Sequence, residues 1–170
     1  MRSSHSLDAL SVQFDDYNAV ANAGLLLSAT LAQHLGLRDV LYDHVDLGAA
    51  PGRANVGDKA MTLIASLIAG GECIDDADAL RAGESGRMLG HWVAASSTLG
   101  TFLRSFSFGH TRQLDKVSGE LLARAWESGA GSDGDEPVTI DVDSSICETY
   151  GLKKQGGSKF TYNHVRGYHH

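Results

Sequence analysis

The chain has only two cysteines, Cys73 and Cys147, far apart and outside any CxxC pattern. That argues against a disulfide framework and against a zinc site, and it fits a reducing cytoplasm. Only 2 prolines stand against 20 glycines, which points to many turns and helix ends. Long apolar runs are missing too. The longest, around Met61 to Ala69, falls far short of a membrane span, and the opening MRSSHSLDALSVQF lacks the apolar core of a signal peptide. No glycine-rich loop with a lysine is present, so nucleotide hydrolysis has no support. The expectation is a soluble, cytoplasmic protein.

With 42% hydrophobic and 21% charged residues the chain reads as an ordinary globular protein. Its formal charge of -7 argues against a uniformly basic coat, but the charge is unevenly spread. From Gly151 to His170 the charged residues are Lys153, Lys154, Lys159 and Arg166, with no acid, so the residues before them carry -11. That tail is where a polyanion would be welcome.

Helical periodicity dominates the first three quarters. In NAVANAGLLLSATLAQHLGL, Val20, Ala23, Leu27, Leu31 and Leu35 fall near helical spacing, with Gly36 as terminator. A second helix is predicted from about Asp58 to Ala69, with Met61, Ile64, Leu67 and Ile68 on its inner side and Gly70 and Gly71 ending it. IDDADALRAG predicts a short helix with acids at its amino end, and a further short one runs through Met88 and Leu89. Ser97 or Thr98 is the expected cap of a helix whose apolar face is Leu99, Phe102, Leu103 and Phe106, with Arg104 pointing away. A longer helix spans about Thr111 to Glu127. Trp92 and Trp126 read as packing residues, and both cysteines as small buried hydrophobes.

The run GAGSDGDEP, residues 129–137, has the composition of a linker. Residues 1–128 are therefore expected to form a helical domain and residues 138–170 to begin a second one. There VTIDVDSSI alternates and is rich in β-branched residues, which predicts a strand, and FTYNHVRGYHH suggests a second. The fold class is α+β.

In such a strand Asp141 and Asp143 project from one face, with Ile140 and Val142 packed on the other. Like charges side by side are tolerated when solvated at a strand end, or favoured when a divalent cation binds them. The spacing serves both readings equally. IDVDSS also loosely resembles the DxDx signature of haloacid-dehalogenase phosphatases, with Asp141 as nucleophile, although that family expects the motif near the chain start.

A broader resemblance covers Phe14 to His169. The segment DVDSSICETYGLKKQGGSKFTYNHVRGYHH resembles the first catalytic block of bacterial DDE transposases of insertion sequences. VANAGLLL, LIAGGECIDDADALRAG and STLGTFLRSF followed by RQLDKV resemble the helical region that precedes it in the same family. The resemblance implies a ribonuclease-H-like domain, here incomplete, with Asp143 as the first acid of an Asp-Asp-Glu triad and a ligand of Mg2+ or Mn2+, Asp141 being the competing assignment. It also implies cleavage and joining of double-stranded DNA at insertion-sequence ends, as a homodimer or larger complex. Arg81, Arg87, Arg104, Arg112 and Lys116 in the helical block, with Lys153, Lys154 and Arg166 beside the strands, become candidate phosphate contacts; solvated helix faces and a surface turn are the plain alternatives. The chain departs from the family pattern at Ser96 and at His170, where proline is usual. The second Asp and the Glu would lie downstream, so the expectation is an amino-terminal piece of a transposase, inactive alone or acting as a DNA-binding remnant.

Overall fold

A computed structural model describes residues 20–82, 84–131, 134–135, 137, 139–143, 145–150 and 158–169. Six α-helices come first: α1 (Leu25–His34), α2 (Leu37–His44), α3 (Val56–Ile68), α4 (Ser85–Met88), α5 (Ser96–Arg104) and α6 (Phe108–Ala125). A 3₁₀ segment, Ile74–Arg81, lies between α3 and α4, and a π turn, Trp126–Ala130, extends α6. Three short strands follow, β1 (Ile146–Glu148), β2 (Lys159–Phe160) and β3 (Arg166–His169). The α+β reading holds, with helix predominating.

Gly36 does more than stop α1. Its left-handed backbone, φ 68°, ends α1, and its carbonyl accepts the amides of Asp39 and Val40, so α2 starts at once in a new direction. The sequence reading missed α2, yet Val40 and Leu41 are among the most buried side chains. They join Val45, Leu47, Val56, Met61, Phe102 and Val117 in the largest apolar cluster, which binds α2, α3, α5 and α6 together. Leu25, Ala65, Leu80, Leu89 and Val93 form a second cluster.

Polar contacts fix the loops to this core. Arg124 on α6 donates from Nη1 to the Leu35 carbonyl at 3.0 Å, satisfying an orphan acceptor at the end of α1. The Gln113 amide brackets Asp46, accepting its N–H at 3.0 Å and donating to its carbonyl at 3.3 Å. Buried Thr62 donates to the Asp58 carbonyl and accepts the Ala94 amide at 3.1 Å, holding the approach to α5 against α3.

Several expectations are corrected. α3 turns Met61 inward but leaves Leu67 and Ile68 exposed. The residue flanking α5 is Ala95, and neither Ser97 nor Thr98 caps that helix. Trp92, Trp126 and both cysteines are exposed.

The sheet is antiparallel in the order β1-β3-β2. Its register pairs Cys147 with Tyr168, Glu148 and Lys159 with Gly167, and Phe160 with Arg166. A Cβ at Gly167 would stand 2.6 Å from the Cys147 carbonyl oxygen, so the central strand requires glycine there. Between β2 and β3 the chain turns at His164, φ 59°, with the Thr161 amide bonded to Val165 and the His164 amide to Thr161.

Candidate functional site

The predicted strand over VTIDVDSSI is displaced. Described residues 139–143 do not enter the sheet, and pairing begins at Ile146. Ile140 and Val142 are 79% and 90% exposed, so they do not pack as expected, and a common strand face for Asp141 and Asp143 is not formed. Both aspartates are exposed in the segment that leads into β1. Among the described residues no three or more His, Cys, Asp or Glu side chains gather in a way that could hold a metal ion.

The basic candidates of the helical block sit on four elements. Arg81 closes the 3₁₀ segment 3.3 Å from Asp78, Arg87 on α4 lies 2.8 Å from Glu84, and Arg112 on α6 is 3.6 Å from Asp115. Each is a surface pair three residues apart, worth little to stability and easily exchanged for a phosphate, yet each local acid lowers the free positive charge. Arg104, at the end of α5, and Lys116, one turn beyond Arg112, have no ion-pair partner among the described residues. Arg112 and Lys116 share a side of α6 by their spacing. Lys153 and Lys154 lie outside the described residues.

Arg166 is carried by the central strand, half-buried, with Nε donating to the Ser158 carbonyl at 3.4 Å. Its cross-strand partner is Phe160: the single strand expected over FTYNHVRGYHH is folded by the turn at His164 into β2 and β3. Alternation alone cannot reveal such a partner; the register does.

Elsewhere the helices enclose an apolar groove of about 490 Å³ between α2, α3, α5 and α6, walled by side chains such as Leu41, Leu63, Phe102, Leu114 and Leu121. No Asp, Glu, His, Cys, Lys, Arg or Tyr lines it. The titratable groups with displaced protonation serve structure instead. The Glu72 and Cys73 amides donate to Asp76 at 2.8 and 2.9 Å, and these bonds, the one from Cys73 foremost, hold its carboxyl below the usual range. Ser96 first, and then Arg81, do the same for Asp78. Burial pushes the Lys59 ammonium down, while Asp58, 2.7 Å from Arg38, raises the guanidinium further.

No helix among the described residues is long and apolar enough to cross a membrane. A family model described as transposase DDE domain, group 1, matches residues 3–170. No curated protein and no solved structure matches the chain.

Proposed function

Because the chain belongs to the group 1 family of DDE transposases, we propose that it contributes DNA-end contacts and the first catalytic acid to a transposase. Membership implies transposition, DNA binding and use of a divalent metal for the family. The reading for this chain rests on the match over nearly its whole length, with Asp141 and Asp143 exposed just ahead of the sheet. Residues 1–128 form the DNA-facing helical part, 129–137 a linker, and 138–170 the start of a ribonuclease-H-like catalytic domain.

Carboxylates are the right donors for Mg2+ or Mn2+. Two alone fall short of the three that the phosphoryl-transfer site needs, and the described residues bring up no third. Asp143, or in its place Asp141, supplies one acid of that set. Arg104, Arg112 and Lys116, helped by Arg81, Arg87 and Arg166, hold backbone phosphates, and two copies of the chain pair two ends in the cytoplasm.

In a protein that carries all three acids, Asp143→Asn abolishes magnesium-dependent cleavage of insertion-sequence ends and Asp141→Asn lowers it less. The reverse order would move the first acid to Asp141. Failure of this chain to bind end-sequence DNA in a fluorescence anisotropy titration would remove the DNA-contact part.

A second reading is a non-catalytic module that binds the same ends. It predicts that this chain competes with a complete transposase for end DNA without cutting it.

A further inference from the structure

The two faces of the sheet differ chemically. Side chains alternate along a strand and paired residues share a side, so Phe160, Arg166, Tyr168 and Cys147 lie on one face and Glu148 and Lys159 on the other. The second face carries one charge of each sign. The first carries Arg166 and no acid.

On that first face Phe160 is 77% exposed, and no other ring packs on it among the described residues. Directly opposite, Arg166 commits only Nε, so both Nη groups lack an acceptor among the described residues. A flat apolar surface therefore stands beside a charged donor pair. Each half narrows the occupant. An acidic peptide would use the guanidinium and leave the ring wet, and an apolar segment would bury the ring and desolvate the charge. An unpaired nucleotide satisfies both, with its base on the ring and its phosphate on the guanidinium. A base inside a duplex has no face to offer. Charge complementarity points the same way, since Gly151 to His170 holds four basic side chains and no acidic one.

We propose that this face of the sheet is a stacking platform for an unpaired nucleotide at a DNA strand end, with Phe160 under the base and Arg166 on the phosphate. The inference rests on the DNA-binding reading above and narrows it to the unpaired part of the end.

The test titrates the full chain against a blunt duplex and against the same duplex with a short unpaired 3′ tail carrying 2-aminopurine. Wild type should prefer the tailed duplex by about fivefold or more and quench the aminopurine. Phe160→Trp should keep both properties, and Phe160→Leu, equally apolar but unable to stack, should lose both. Arg166→Gln should weaken the tailed duplex and leave some quenching. Phe160 is exposed, so these changes should leave the circular dichroism spectrum unaltered. Equal binding of tailed and blunt DNA, or full retention by Phe160→Leu, would overturn the platform while leaving duplex recognition intact. Binding to neither DNA would overturn both.

Discussion

Lys59 is 5% exposed, and its ammonium donates to the carbonyls of Gly52 and Ala54 and lies 5.5 Å from the centre of the Phe102 ring. Replacing it with methionine orphans two carbonyls, so Lys59→Met should cost roughly 1–3 kcal/mol at neutral pH by urea denaturation. The pH dependence has a definite sign. Burial lowers the folded-state pKa below 10.5, so near the alkaline end the unfolded chain binds more protons than the folded one. Stability should therefore rise as pH climbs through the folded value toward 10.5, and Lys59→Met should lack that rise. None of this was legible in the sequence. A lysine in the first turns of a helix reads as a solvated residue, and only the loop carrying Gly52 and Ala54 folding back over it reveals the burial. Leu67 and Ile68 fail in the opposite sense: helical spacing puts them near the inner stripe, but at that end of α3 it is Ala65 and Ser66 that are buried, and Leu67 and Ile68 stand in water.

Elements pack where a side chain is missing as well as where one is present. A Cβ on Gly57 would stand 2.9 Å from the Arg38 carbonyl and closer still to the Tyr42 ring, so Gly57→Ala must push α2 and α3 apart. The expected loss is about 1–3 kcal/mol, read as a lowered Tm. At the start of the 3₁₀ segment, Asp76 holds two amides and has a depressed pKa, so its contribution is present above the unfolded value near 3.8 and fades as pH falls through the folded one. Asp76→Asn should make acid unfolding less steep; an unchanged acid limb would rule that out. The long helices were readable because α3 and α6 each repeat their apolar spacing over three turns or more. Eight-residue α2 has two turns and follows a glycine that looks like a stop. The strand was misplaced toward the amino end, overlapping β1 only at Ile146, because β-branched alternation marks what can pair, and a partner decides what does. Glu148 faces Gly167, while 139–143 has no place in the sheet.

For the whole molecule, the helical part shares buried apolar clusters, whereas among the described residues the sheet contributes to none of them. Amide exchange followed by mass spectrometry should therefore show the strands Ile146–Glu148 and Arg166–His169 exchanging about tenfold faster or more than α2 and α3. Equal protection throughout would mean that the sheet unfolds only with the helices. Of the candidate site, the acids and the basic tail were visible as composition, while the pairing that sets Phe160 beside Arg166 needed a fold. At the other end of the chain, Arg124 reaches Leu35 across the bare Gly36, and where a Cβ would sit the guanidinium passes at 2.6 Å. One hydrogen bond thus buckles the belt formed by residues 35–124, while Leu25 of α1 reaches past it into the second cluster, so a gene fragment meant to stand alone must begin ahead of α1.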